Sequence, residues 1–384
     1  MRIVKWLHLW LGLISGTVVF IVCLTACIWV FNEEILTLLE PEKNIERQRK
    51  PTLTPSQIAS IARKQYPDMV VDYVYSSQGK TTTVYLDHAK DAKSHSTAIL
   101  DLHPYNGQVV SHKKLLEHEY EFFDFILTGH RFLWFPYELG RPIVNYSTLV
   151  FVILLITGLI WWYPKKWNKS IRDKSFKIKW GASFKRVNLD LHNVLGFYAM
   201  IFLLCLALTG MVFGLLWFSE GTYWVTSGGD SLEEYKELES DSTRAGKHYN
   251  TLQAMDLAWS IVVKKHPEAQ GFGYGFPHSS EPKEVIDITV YPNKSEFYNS
   301  TSYTFDQHTV KEVVGSGIYH TSYDKVGFAG KLRKMNYDIH VGSILGFPGK
   351  IMAFFAALIG ASLPITGFLI WYGRKFKKKA KPVR

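Results

Sequence analysis

Four apolar runs, each long enough to cross a bilayer, constrain this chain more than any other feature. They lie at residues 6–31, 143–163, 189–218 and 347–372. A hydrocarbon core about 30 Å thick takes about 20 helical residues. Inside it only a helix or a closed barrel satisfies its own backbone. The runs are continuous rather than alternating, so the expected fold class is integral membrane α-helical, with four spans. Trp161, Trp162, Tyr163, Trp217, Trp371 and Tyr372 stand at run ends, where rings with a polar atom favour the interface. The first run contains Leu24-Thr25-Ala26-Cys27, which has the form of a lipoprotein cleavage box, but apolar Ile28-Trp29-Val30-Phe31 follow it. That length exceeds a signal-peptide core, so the run is expected to remain as a span.

Charge sets the expected orientation. The net charge is +10, and eighteen of the 44 Lys and Arg fall in three short stretches. These are Arg2 with Lys5, Lys165 to Arg186, and Arg374 to Arg384, with Asp173 the one acid among them. Basic residues beside spans mark the cytoplasmic side. Both termini, the loop 164–188 and the tail 373–384 are therefore expected in the cytoplasm. The long polar regions 32–142 and 219–346 then fall on the other side. A nucleic-acid partner is excluded, since such proteins carry their basic patch on a folded face; membrane lipids are the expected surroundings. All three cysteines lie in apolar runs and no CxxCH occurs, so neither a disulfide framework nor a covalently attached haem is expected.

Each polar region reads as a helix followed by strands. In the first, Thr54-Pro55-Ser56-Gln57 opens a helix to about Gln65. Strands are expected near 70–76, 81–87 and 97–102, with a turn at Pro104-Tyr105-Asn106-Gly107. In the second, Thr251 opens a helix to about Lys265, and strands are expected near 285–291, 301–306 and 309–314. The expectation is two small α+β units.

The halves of the chain repeat. Leu7-His8-x-x-x-Gly12 with Leu24-Thr25 matches Leu191-His192-x-x-x-Gly196 with Leu208-Thr209, and His to Thr is 17 residues in both. Gly140-Arg141, Ile156-Thr157-Gly158 and Trp162-Tyr163 match Gly349-Lys350, Ile365-Thr366-Gly367 and Trp371-Tyr372. The unit helix–outer region–helix thus occurs twice, in the same direction, which implies a two-fold axis along the membrane normal.

Four histidines recur with the repeat. His8 and His192 sit at the cytoplasmic ends of the first and third runs, and His130 and His340 just outside the second and fourth. A two-fold axis brings His8 level with His192, and His130 level with His340. Facing imidazoles in a helical bundle can hold haem iron axially. Gly12 and Gly196 lie one turn further along the same helix faces, leaving room for a flat macrocycle. The plainer alternatives are satisfied interfacial histidines and pairing within one half. His320, set among Tyr319 and Tyr323, could contact iron or substrate. His88, His95, His103, His112 and His118 read as surface residues. No HExxH, Walker or flavin motif occurs, and Gly271-Phe-Gly-Tyr-Gly-Phe is not a dinucleotide fingerprint.

At several stretches the sequence resembles the PepSY-associated transmembrane family, iron-regulated membrane proteins that include ferric-siderophore reductases. They are Trp6 to Leu13; Gly129-His130-Arg131-Phe132 through Thr157 to Pro164; Leu191-His192; Ile339-His340-Val341-Gly342 through Lys350; and Leu363 to Gly367. The polar regions resemble PepSY domains, with one departure: Val310 follows Thr309 where such a turn often has glycine. The resemblance implies a duplicated helix–PepSY–helix unit forming a four-helix bundle in a bacterial inner membrane, with α+β periplasmic domains. It also implies b-type haem, two groups held by His8, His192, His130 and His340, passing electrons from an unidentified donor to a periplasmic ferric siderophore and releasing Fe(II). The alternative is a non-enzymatic PepSY module that binds or inhibits a periplasmic peptidase. A transporter is disfavoured, because no acidic residue lies near the middle of any run.

Overall fold

A computed structural model describes residues 2–88, 97–115, 121–244, 249–278 and 281–376. His95 and His118, and most of the basic tail, lie outside these. The helices, in chain order, are α1 (Arg2–Trp29), α2 (Asn32–Leu39), α3 (Pro55–Gln65), α4 (Phe122–Phe132), α5 (Tyr137–Trp162), α6 (Lys169–Phe176), α7 (Phe184–Asp190), α8 (Gly196–Gly214), α9 (Leu216–Ser227), α10 (Thr251–Lys265), α11 (Phe328–Val341) and α12 (Gly346–Lys375). The strands are β1 (Met69–Ser77), β2 (Thr82–His88), β3 (Thr97–Leu102), β4 (Val109–Leu115), β5 (Gly271–Gly275), β6 (Val285–Tyr291) and β7 (Thr301–Asp306). They form two compact units. One comprises Met1–Asn32, Glu121–Thr222 and Asn336–Arg384; the other comprises Glu33–Tyr120 and Tyr223–Met335.

In the helical unit, four helices are long and apolar enough to cross a membrane: Arg2–Trp29, Tyr137–Trp162, Phe184–Gly214 and Ser343–Lys375. The first two begin four and six residues before the apolar runs, because polar Arg2, Lys5, Glu138 and Arg141 extend the helix without contributing hydropathy. The third is not one regular helix. A π-helical turn, Leu191–Leu195, joins α7 to α8. α1 packs on α5 and α12, and α8 packs on the same two, so α1 and α8 lie diagonally across the bundle. Between them Val19, Phe151, Leu155, Ala199, Leu203, Ala207, Met211 and Ala356 form a packed core. Alanines let the helices approach, since association in an apolar solvent rests on close packing.

The other unit is one sheet, not two. Its seven antiparallel strands run β4-β3-β2-β1-β5-β6-β7. The two polar regions meet at β1 and β5, with Tyr73 opposite Gly275 and Ser77 opposite Gly271. The Gly271-Phe-Gly-Tyr-Gly run, missed as a strand, is therefore the centre of the sheet. Phe272 and Tyr274 pack with the core, while the glycines fall on the face that carries Tyr73 and Tyr291; a Cβ at Gly273 would overlap the Tyr73 hydroxyl. Burial pushes the Tyr75 phenol on that face up to about 12.

α3 and α10 cover the other face. Their Ile58, Ala62, Met255, Ala258 and Val262 interlock with Val74, Val84, Leu100, Ile286 and Ile288. Both helices start with a capping box, Thr54 with Gln57 and Asn250 with Gln253, which satisfies otherwise orphaned N–H groups. The expected strand 309–314 is reduced to a single antiparallel bridge, Glu312 to Phe305 of β7. The Asp306 carboxylate accepts from the Asp241, His308 and Thr309 N–H groups and the Thr309 hydroxyl, closing a tight loop. In it Val310 takes φ 55°, a left-handed conformation that a β-branched residue adopts at a cost. Burial raises the Asp306 pKa, but those hydrogen bonds outweigh it and hold the carboxyl below the usual range.

α3 and α10 are tied by one strut. The Ser56 N–H and hydroxyl donate to the two oxygens of Asp256, at 2.9 and 2.5 Å. Asp256→Ala leaves both donors without that carboxylate, and should destabilise the sheet unit by about 2 kcal/mol. Thermal unfolding of the detergent-solubilised protein should show a lower midpoint, and an unchanged one would mean that the strut contributes nothing.

Candidate functional site

The bundle brings the four histidines together in the two expected pairs. The His8 ring on α1 and the His192 ring lie 6.4 Å apart between centroids, at 88° to one another. The His130 ring on α4 and the His340 ring on α11 lie 6.2 Å apart, at 58°. His192 sits in the π-helical turn, a departure from regular helix often found at functional sites. His130 and His340, expected just outside the spans, belong to the same compact unit as the spans. α4 and α11 carry them back against the ends of α1 and α8, where His130 meets the Val22 carbonyl and His340 the Leu206 carbonyl.

Two close turns make this possible. The Phe132 carbonyl at the end of α4 occupies the space where a Cβ of Gly140 would stand. The Gly342 carbonyl does the same to Gly349 at the start of α12. These are the glycines of the repeated Gly-Arg and Gly-Lys pairs.

Each imidazole is anchored through Nδ1 to a threonine on another helix. His8 bonds Thr157 at 3.0 Å, His192 bonds Thr366 at 2.9 Å, His340 bonds Thr209 at 2.9 Å, and His130 bonds Thr25 at 3.4 Å. Every one of these threonines also donates its hydroxyl to carbonyls of its own helix, as Thr157 does to Ile153 at 2.8 Å. A hydroxyl has one proton. With that proton on the helix, Oγ1 faces the imidazole as an acceptor, and the Nδ1 atom must be the donor. The Val22 and Leu206 carbonyls, 2.9 and 3.1 Å from His130 and His340 Nδ1, accept only and require the same tautomer. The hydrogen-bond network thus assigns Nδ1–H to all four rings and leaves each Nε2 with a free lone pair. This is the arrangement of metal-ligating histidines, whose other nitrogen donates to an acceptor behind it.

The spacing of the rings fits one metal between each pair. A nitrogen about 2.0 Å from a metal, in a ring whose centroid lies about 1.1 Å behind it, puts two opposed centroids about 6.2 Å apart. Among the described residues no group of three His, Cys, Asp or Glu side chains converges to hold a metal ion. Each pair therefore offers two ligands and no more. Around His8 and His192 lies a cavity of about 440 Å³, walled by Gly12, Gly158, Gly196 and Gly367 and by Trp161 and Trp371.

The remaining histidines are elsewhere. In the sheet unit His112 is exposed and bonds the Tyr66 hydroxyl, and His103 accepts from the Tyr105 N–H. His88 falls at the end of β2. His320 stacks on Tyr235, and its buried Nε2 has no hydrogen-bond partner among the described residues.

The family model of the PepSY-associated TM region matches residues 5–374, nearly the whole chain. The chain belongs to that family. Its members are membrane proteins, and the four apolar helices agree. Among curated proteins nothing matches the chain.

The histidines were readable from the repeat, but the threonines were missed as part of the site. Thr25, Thr157, Thr209 and Thr366 were visible only as matched letters. The available signal was a polar residue recurring in the middle of apolar runs, where a hydroxyl needs a partner. The two turn glycines give a direct test of the frame. Gly349→Ala drives a Cβ into the Gly342 backbone and should cost about 3 kcal/mol. Size-exclusion chromatography in detergent should show loss of the monodisperse protein, and wild-type behaviour would show that the turn can open.

Proposed function

We propose that this chain is a haem-bearing reductase of a bacterial inner membrane that passes electrons to a ferric siderophore in the periplasm. The observation that carries the haem reading is the pair of two-ligand sites: opposed imidazoles at 6.4 and 6.2 Å with Nε2 free and no third donor group among the described residues. Metals held by protein alone usually take four or more ligands. An iron that brings four equatorial nitrogens in its macrocycle needs only the two that are offered here. His8 with His192 would hold one haem b and His130 with His340 a second. When bound, haem supplies one-electron exchange between Fe(III) and Fe(II).

The chain's own residues do the rest. The threonines fix the imidazole tautomer, and the glycines and tryptophans shape the cavity at the first pair. The apolar core between the levels keeps water from the path. His8 and Thr25 are 17 residues apart on one helix, about 26 Å, so the two levels stand near opposite faces of the bilayer. With the basic stretches in the cytoplasm, His8 and His192 face the donor side, and His130 and His340 the opposite, acceptor side. The matched motifs, the matched His–Thr ties and the matched capping boxes support descent from a duplicated helix–PepSY–helix unit. The substrate assignment rests on the family resemblance and on chemistry: hard oxygen ligands hold Fe(III) far better than Fe(II), so one electron loosens the metal without breaking the chelator.

The test is an oxidised-minus-reduced absorption spectrum of the purified protein with pyridine haemochrome quantitation. A b-type spectrum at two haems per chain is expected, with His8→Ala and His340→Ala each removing one. Reduced protein mixed with a ferric siderophore should reoxidise and release Fe(II) to a ferrous chelator. Colourless protein from haem-replete cells would remove the redox reading and leave a PepSY module whose partner is a peptide or peptidase. Haem without reoxidation by any ferric siderophore would leave an electron carrier with another acceptor.

A further inference from the structure

The four imidazole anchors differ at one place. Thr157, Thr209 and Thr366 are each followed by glycine, and Thr25 is followed by Ala26. At the three glycines the missing Cβ makes room for an imidazole. It would stand 3.2 Å from His8 Cε1 at Gly158, 3.3 Å from His340 Cε1 at Gly210, and 3.3 Å from His192 Cε1 at Gly367. Those separations are too short for an easy contact, so an added methyl would push the ring. Cε1 lies between the two ring nitrogens. A push there shifts Nδ1 against its threonine and tilts Nε2 on the opposite side. Where the glycine is replaced by Ala26, the tie to threonine is the longest of the four, 3.4 Å against 2.9 to 3.0 Å. There the Nδ1–H of His130 lies nearer the Val22 carbonyl, at 2.9 Å, than its threonine, whereas that of His340 lies nearer Thr209, at 2.9 Å, than the Leu206 carbonyl, at 3.1 Å.

We propose that the Thr–Gly step is the positioning element of each axial imidazole, and that Ala26 makes His130 the least firmly placed of the four; this rests on the haem reading above. The threonines are positioning residues, since they touch the ligand and not the iron. An acceptor behind Nδ1–H increases the basicity of Nε2, which favours Fe(III) and lowers the reduction potential. Losing the acceptor raises it. The two haems are then inequivalent by construction, one held by two Thr–Gly steps and the other by one Thr–Gly and one Thr–Ala.

The test is a potentiometric titration of the full-length, detergent-purified protein, with haem content measured alongside. Thr157→Val keeps the shape and removes the oxygen. It should change the Fe(III)/Fe(II) preference of one haem about tenfold, a rise of about 59 mV for a one-electron couple, while Thr157→Ser returns the wild-type value. Ala26→Gly should lower the midpoint of the other haem and leave the first unmoved. Thr366→Val carries the same test at the facing imidazole if Thr157→Val yields too little folded protein. Loss of haem from the Val variants with retention in the Ser variant also supports the proposal. Wild-type midpoint and full haem in both Val variants would overturn the positioning role, and an unmoved Ala26→Gly would overturn the inequivalence, each with the haem reading intact. Colourless wild-type protein would overturn the haem reading itself, and this proposal with it.

Discussion

A neutral imidazole buried among apolar helices must hand its single N–H to an acceptor, and that requirement organises the bundle. An unpaired polar group in such surroundings costs several kcal/mol. Here a threonine on a different helix stands at each Nδ1, joined at His130 and His340 by a carbonyl: α1 to α5 through His8 and Thr157, α4 to α1 through His130 and Thr25. The second half uses His192 with Thr366 and His340 with Thr209. Each tie joins helices of the same half of the chain. Each also turns a ring toward the ring that comes from the other half. The diagonal placement of α1 and α8 then brings the rings of the two halves to 6.4 and 6.2 Å from one another. Staples between neighbours thus produce pairs across the diagonal.

The sheet obeys a different constraint. A strand edge with bare N–H and C=O groups invites pairing with whatever is near. Taken alone, β1–β4 would expose β1 and β5–β7 would expose β5. Pairing those two strands removes both edges at once and puts both helices on one face. The edge that remains at β4 carries Lys113 and Lys114 at exposed positions, and charge on an edge discourages further pairing. The edge at β7 ends in the loop held by the Asp306 carboxylate. Separation of the two polar regions in sequence hid this. Nothing in either region's periodicity states that its first strand pairs with the other region's first strand.

Legibility followed the range of the physics. Spans, capping boxes and most strands depend on residues within a few positions of each other, and they were readable. The Gly271–Gly275 strand was not, because glycine at alternate positions carries no hydrophobic alternation; only the tyrosines packed on its face explain it. The 309–314 strand was expected from β-branched residues, and the local competition of the Asp306 carboxylate for the backbone defeated it. The histidine pairs were readable because a repeat supplies long-range information that a single segment lacks. The π-helical turn at His192 had no such signal: its counterpart His8 sits in ordinary α-helix. The threonines had the same repeat signal as the histidines, but hydroxyls in apolar helices commonly bond back to their own carbonyls and need no other role.

Small residues serve two opposite purposes along these helices, and the difference bears on what the site is for. In the middle of the bundle Ala199, Ala207 and Ala356 are buried in a tight core. Toward the His8 level the small residues are glycines, and they wall a cavity rather than close it. Leaving that space unpacked forgoes the close contacts that the alanines make deeper in the bundle. Helices with nothing to hold apart would close on one another, as they do around the alanines. Glycines set beside two inward-facing imidazoles instead keep a flat space open at the level where the free nitrogens point. On the proposed function, a bundle left unpacked at one level would take a guest with apolar faces and a central metal, as haem has.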